Sequence, residues 1–429
     1  MTDDENGIPS QRGKMMDWLK QLAADARTER FISFCLYLIM AFPVLDYTLR
    51  RLPGLSLVGA VWDQALLLVL IPAILFRSLK RDSGLWPAFL PFLMLCLAYG
   101  VRNLHYLGVT IEGLRAILQW IPYLFIAFHL VRDREQSVHL VQFFLLVTAV
   151  VAGIGLLQPF LGVETPAGWI DATEMISIRI FSIVQSPNVL GAHLALAIPI
   201  ALGMAWYERR RLYQGIWGAI ALMGSMALVL TFSRGAWLAL AGAAVIVSAV
   251  LDRRLLIALL IAAVLLTVML PQVTDRVLNV FSEEYLSKSL QDGRVGRWLR
   301  AYDLLRNQPL FGLGPGQYGG AVAARHFGIS YLDNYYAKTA AELGLLGLGV
   351  YLAWLGAVMK KAVIGVWGRA PRRFHRLQYG VLGGLIAVLL HNGVENIFEV
   401  PYMNTYFWFL AGLMVFWCST QSRGGSPCD

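Results

Sequence analysis

Apolar runs of roughly 17–22 residues recur along nearly the whole chain, each long enough to carry a helix across about 30 Å of hydrocarbon. With 57% hydrophobic and 15% charged residues, against about 25% charged in soluble domains, the chain is expected to be an integral membrane protein. The expected fold is an all-α polytopic membrane protein with about 12 transmembrane helices. They are placed near residues 31–49, 56–76, 85–101, 114–131, 138–161, 186–206, 215–232, 236–251, 255–271, 339–358, 377–394 and 403–418. The 13 Trp and 17 Tyr suit interfacial belts.

These runs set the expected organisation. Residues 1–13 read as disordered, and 14–30 as a helix on the cytoplasmic membrane surface, with Met15, Trp18, Leu19 and Leu22 on one face. Beyond this N-terminal segment (1–30) come spans 1–9 (31–271), a large loop (272–338), spans 10–12 (339–418) and a tail (419–429). The first 30 residues are polar and charged, so no cleavable signal peptide is expected and the first span does the targeting.

Orientation follows from Lys and Arg. With the N terminus inside, cytoplasmic loops hold Arg77, Lys80 and Arg81, then Arg132 and Arg134, Arg209–Arg211, Arg253 and Arg254, and the run from Lys360 to Arg376. The short outer loops hold only Arg50, Arg51, Arg102 and Arg179. This positive-inside bias puts both termini in the cytoplasm and residues 272–338 outside. The net charge of +9 lies mostly in short loops between spans, so it reports orientation and does not point to nucleic acid. Cys35, Cys96, Cys418 and Cys428 form no CxxC or Cys/His cluster. Neither a disulfide framework nor a zinc site is indicated, and the reading includes no metal or other cofactor.

The long outer segment reads as helical through VTDRVLNVF, SEEYLSKSLQ and GRWLRAYDLLRNQ, then breaks into a turn-laden loop at PLFGLGPGQYGG. Arg294, Arg297, Arg300 and Arg306 are spaced three, three and six apart, which puts most of them on one side of a helix. Grouped guanidinium forks suit phosphate or diphosphate. A solvated face accounts for one or two of the four; Arg294 and Arg297 are the pair expected to face a ligand.

Other polar residues gather at outer span ends. Arg234, in TFSRGAWLAL, lies in a tight turn between spans, either facing a polar cavity or snorkelling from a helix end. Arg179 is either a phosphate ligand or a solvated loop residue. Ser186, Pro187 and Asn188 precede a span as a helix start, with Gly191 permitting close packing. Asp333 can accept a proton from a hydroxyl, cap the following helix or pair with Lys338. His391, Asn392, Glu395, Asn396 and Glu399 form a polar patch at the end of the eleventh span. His326 and His391 are alternative bases, and His193 reads as a packing residue.

Four segments, RIFSIVQSPNVLGAHL, TFSRGAWLAL, GRVGRW…NQPLFGLGPGQY and DNYYAKTAAELGLLGL, together with one large outer loop late in the chain, resemble the O-antigen ligase and Wzy-type polymerase superfamily of bacterial envelope glycosyltransferases. The resemblance implies a multi-pass protein of the bacterial inner membrane, with its active site facing the periplasm. It would move a glycan from undecaprenyl diphosphate to a hydroxyl without a metal or nucleotide sugar. Arg179, Arg234, Arg294 and Arg297 would hold the diphosphate, whose developing charge fixed guanidiniums stabilise. Asp333 would be the base, and Asn188, Asn334, Tyr335 and Glu395 would contact substrate. Ligases typically carry His-Asn where this chain has Asp333-Asn334. That ranks a polymerase of exopolysaccharide or O-antigen repeat units above a ligase acting on lipid A core or protein. The partners implied are the lipid-linked oligosaccharide, a glycan or lipid acceptor, the bilayer and a chain-length regulator. A transporter of the same lipid-linked substrate ranks lower, because charge concentrates at the outer face and no pseudosymmetry is evident.

Overall fold

The computed structural model describes residues 26–78, 81–169, 178–251, 282–291, 293–367 and 371–421. Within them the chain forms helices and short 3-10 turns, with no strand. The expected span at 255–271, the VTDRVLNVF stretch and most of the surface helix at 14–30 lie outside the described residues.

Helices α1 (Ala26–Met40) and α2 (Phe42–Arg51) meet at an 81° bend, so the run 31–49 is not one straight span. Pro43 near the start of α2 has no N–H to continue the helix, which fixes the break at Ala41. Next come α3 (Ser56–Ser78) and α4 (Trp86–Arg102). The span expected at 114–131 starts earlier, as α5 (Leu107–Leu118), and breaks before Pro122 into α6 (Pro122–Leu130). Then follow α7 (Arg134–Leu157), α8 (Pro187–Tyr207), α9 (Arg211–Leu230) and α10 (Arg234–Leu251). The polar tract forms α11 (Glu283–Gln291), α12 (Arg294–Asn307) and α13 (Ala321–Phe327). The chain closes with α14 (Tyr335–Val366), α15 (Arg372–His391) and α16 (Pro401–Gln421).

Six of the described helical stretches are long and apolar enough to cross a membrane, or seven if the bent α1–α2 pair is one span. Helix α4 and the apolar part of α10 fall short in length. Helices α8 and α16 form the centre. Helix α16 is apolar on all sides and buries Tyr406, Phe407, Trp408, Phe409 and Trp417 almost completely, the pattern of a core helix rather than a surface one. Cys35 and Cys96 are buried free thiols. Cys418 is disulfide-bonded, a pairing that sequence spacing alone does not reveal.

Small residues let α8 and α15 approach at backbone distance, as in membrane bundles. A Cβ on Gly380 would lie 2.5 Å from the Pro199 carbonyl oxygen, and one on Gly384 would lie 2.4 Å from that of Leu196. This crossing sets the end of α15 beside the start of α8. Gly191 plays the same part toward α10: its Cβ would lie 2.7 Å from that of Ala236.

The Gly/Pro loop 308–320 is docked against a break in α14. Gly344 has φ 67° and ψ −176°, a conformation open to glycine and closed to L side chains. The interruption exposes backbone groups that the loop takes up. Leu313 and Gly314 donate to the carbonyls of Ala341 (2.9 Å) and Glu342 (2.8 Å), and Leu345 donates to Pro309 (2.8 Å). Arg102 clamps the loop from outside through the carbonyls of Phe311 (3.0 Å) and Gly312 (3.1 Å). Beneath it lies a buried ion triad: Lys338 Nζ contacts Glu342 Oε2 at 2.8 Å and Glu399 Oε1 at 3.0 Å. Glu399 also accepts from the Ala321 N–H (2.9 Å). Each charge is therefore paired, as burial demands.

Gly384→Leu is expected to lower the thermal midpoint and the yield of monodisperse protein, at a cost of about 1–3 kcal/mol or more for overpacking. Gly349→Leu, where a Cβ meets nothing within 4 Å, is expected to leave both unchanged. Lys338→Met strands two buried carboxylates, and the expected loss of about 3–5 kcal/mol would appear as a collapse in thermal midpoint. Adding Glu342→Gln and Glu399→Gln should recover most of it.

Candidate functional site

Four helix N-termini meet at one end of the bundle: those of α8, α10, α12 and α14. Each contributes the partial positive charge of a helix start, a setting that suits an anion. The sequence builds these starts with ordinary caps. Ser186 accepts from the Val189 N–H (3.4 Å) ahead of Pro187 at the first turn of α8. Asn334, and not Asp333, caps α14, accepting from the Ala337 N–H at 2.9 Å.

The side chains at these ends form one connected network. Arg294 donates to Glu395 Oε2 (2.9 Å) and to Asp333 Oδ2 (3.2 Å). Arg297 donates to the same Asp333 oxygen (2.9 Å) and to the Tyr331 carbonyl (2.7 Å). Asn188 Nδ2 donates to Glu395 Oε2 (2.9 Å), while its Oδ1 accepts from Arg179 (3.0 Å). Arg179 is 7% exposed and also donates to the carbonyls of Thr231 (2.9 Å) and Trp169 (2.8 Å). It is a built-in buried cation, which removes the reading of a solvated loop residue. Arg234 starts α10 close enough for its charge to act on Arg179.

The electrostatics are those of an anion site. Burial pushes the Arg179 guanidinium down to about 10, and the charges of Arg234 and Arg294 push it the same way, against Glu395. Burial drives Glu395 up to about 7, opposed by Arg294 and reinforced by the Asp333 charge. Among the described residues, four arginines (179, 234, 294, 297) and two carboxylates (333, 395) gather at this end of the bundle. The two segments that cradle Arg179 and Arg234 are strained: Ser182, Gln185 and Phe232 have φ of 53°, 62° and 49°. Non-glycine residues rarely adopt this region, and such strain clusters at functional sites.

The remaining sequence candidates divide. Arg300 and Arg306 lie on the exposed face of α12, as a solvated helix face requires. His326 sits away from Asp333: it and Arg325 pair with Glu112, at 3.2 and 2.9 Å. Lys338 pairs with Glu342 and Glu399, which excludes it as the partner of Asp333. His391 is fully buried, its ring nitrogens have no hydrogen-bond partner, and it packs under the turn at Gly235. His193 is a core residue bonded to Thr148 (3.0 Å). Tyr335 is buried too, its ring 5.3 Å from that of Phe398, so its side chain supports the site from below. Sequence reasoning missed the Lys338–Glu342–Glu399 triad; the signal was the i, i+4 spacing of Lys338 and Glu342 at a span end. No His, Cys, Asp and Glu group among the described residues is arranged to hold a metal ion.

No curated protein matches the chain. A family model described as O-antigen ligase matches residues 219–352, which hold Arg234, Arg294, Arg297 and Asp333 but not Arg179, Asn188 or Glu395. The resemblance carried by the sequence motifs is thereby borne out: over residues 219–352 this chain matches the O-antigen ligase family.

Proposed function

We propose that the protein is a membrane glycosyltransferase that moves an undecaprenyl-diphosphate-linked glycan onto a sugar hydroxyl at the periplasmic face of the bacterial inner membrane, polymerising exopolysaccharide or O-antigen repeat units. The observation that carries this reading is the convergence of four arginines and four helix N-termini on one polar network. It sits among apolar helices, in a chain whose residues 219–352 match the O-antigen ligase family. A lipid-linked diphosphate brings the anion to these arginines while its polyprenyl chain stays in the bilayer. The twelve-span arrangement with both termini in the cytoplasm remains part of this proposal.

In the proposed reaction the acceptor oxygen bonds to the anomeric carbon as the bond from that carbon to the diphosphate breaks. The undecaprenyl diphosphate leaves with its negative charge against Arg179, Arg234, Arg294 and Arg297, where fixed guanidiniums stabilise it best. The hydroxyl proton passes to Asp333. Before substrate arrives, one oxygen of Asp333 is tied to both Arg294 and Arg297. A diphosphate competes for these guanidiniums, so the carboxylate becomes available to the acceptor once the donor is in place. Asp333 followed by Asn334 favours the polymerase over a ligase acting on lipid A core or protein. The tight positioning of charge at one end, rather than through the bundle, favours an enzyme over a transporter.

Three outcomes test this proposal in membranes carrying matched amounts of each variant. Arg294→Ala and Arg234→Ala should each reduce polymer formation by about 100-fold or more, the usual effect of removing one group that stabilises developing charge. Asp333→Asn should fall by a similar factor; near-normal activity would remove it as the base. Glu395, held up to about 7 by burial, is ionised above neutrality and then retains Arg294. As pH falls through about 7 it protonates and releases Arg294 to the diphosphate. The donor KM is therefore expected to fall by roughly tenfold from pH 8 to 6, equal to about 1.4 kcal/mol, and Glu395→Gln should flatten that dependence.

A further inference from the structure

A second cavity, of about 470 Å³, lies outside the arginine network and is walled by α2, α3, α5 and the start of α16. Its volume falls in the range of sites that enclose a small organic ligand. It shares two pieces of chain with the network. Residues 183–185 continue the strained segment that carries Arg179, and residues 400–402 continue the turn that carries Glu395. The cavity therefore shares one segment with Arg179 and another with Glu395.

Its lining differs in kind from that of the arginine site. Asp46, Asp63, Gln119 and Arg115 supply hydrogen-bonding groups, and Trp120 and Tyr402 supply aromatic faces. The polar groups are already fixed by one another. Gln119 donates to Asp63 (3.3 Å) and accepts from Arg115 (2.8 Å), while Asp46 accepts from Trp62 (3.0 Å) and Arg50 (2.8 Å). One group lacks a partner: Tyr402 is 7% exposed and its phenol oxygen is buried with no hydrogen bond. A buried, unmatched hydroxyl is costly without a partner. A hydrocarbon tail would bring no polar group to these walls. The walls carry both signs of charge, with Arg50 bound to Asp46 and Arg115 to Gln119. A sugar ring suits such walls, since its hydroxyls both donate and accept while its C–H face packs against an aromatic ring.

We propose that this cavity is the acceptor subsite, binding the sugar residues of the glycan whose hydroxyl attacks. The inference rests on the glycosyltransferase reading of the arginine site. The donor is held there by its diphosphate, so the attacking glycan needs polar walls of its own beside it. Gln185, in the left-handed region with φ 62°, lines the cavity six residues beyond Arg179 and joins the two sites.

The test uses the full-length protein in nanodiscs and two probes. One is lipid-free oligosaccharide released by mild acid from the host's own lipid-linked pool; the other is undecaprenyl diphosphate without glycan. Wild-type protein should bind both. Ala60→Trp, at an exposed position on the cavity wall, and Gln119→Ala should each weaken oligosaccharide binding at least tenfold with undecaprenyl diphosphate binding unchanged. Arg294→Ala should do the reverse. Thermal midpoints matching wild type establish that the variants are folded, and Ala60→Trp leaves the core untouched if Gln119→Ala does not fold. Failure of wild-type protein to bind the oligosaccharide, or binding indifferent to both cavity substitutions, overturns the subsite. Failure to bind undecaprenyl diphosphate overturns the donor reading instead, and the oligosaccharide arm reports separately.

Discussion

One carboxylate oxygen organises this site. Glu395 Oε2 accepts from Arg294 and from Asn188, and Asn188 passes the connection on to Arg179. Segments more than 200 residues apart in sequence are thus joined at a single atom. A carboxylate at the lip of an apolar bundle loses several kcal/mol of hydration, which only close cationic and amide donors offset. Arg179 poses the opposite problem and has the matching solution, two backbone carbonyls and the Asn188 amide oxygen. Neutralising the central acid loosens its hold on Arg294, while Arg179 and Arg297 keep their other partners.

The backbone beneath makes that geometry possible. Glycines at the α8–α15 crossing bring the Asn188 end of one helix against the Glu395 end of the other. The Ser233–Gly235 turn fits between them because Gly191 and Gly235 present no side chain. The charged groups therefore depend on contacts made by residues with no chemistry of their own. The aromatic, polar cavity beside the network is built on the same two segments, which gives one short stretch of chain two faces of different character.

Much of this was legible in the sequence, for reasons that also mark its limits. Apolar run length located the helices, because hydrophobic thickness is a property of composition. It did not reveal the bend at Ala41 or the break before Pro122, where local backbone chemistry overrides continuous hydropathy. The spacing of Arg294, Arg297, Arg300 and Arg306 suggested that most share one side; in the structure Arg294 and Arg297 meet Asp333, while Arg300 and Arg306 are exposed. Partner choice was not local. Whether Lys338 met Asp333 or the more distant Glu399, and whether His326 approached Asp333 or Glu112, depended on how the loop folded back. Arg179 could be read either way, and its burial removes only the solvated reading. Asn334 as the cap follows from its side chain, yet the neighbouring Asp333 offered the same chemistry one residue earlier.

The break in α14 has a consequence for how such chains can diverge. The Gly344 interruption leaves carbonyls at Ala341 and Glu342 that the segment 309–314 satisfies almost residue for residue. Length changes are therefore tolerated unevenly across this polar segment. Between Pro309 and Gly314 a single insertion shifts the register and strands backbone groups inside the protein. Descendants of this architecture can therefore change the length of this polar segment only outside that fixed hexapeptide.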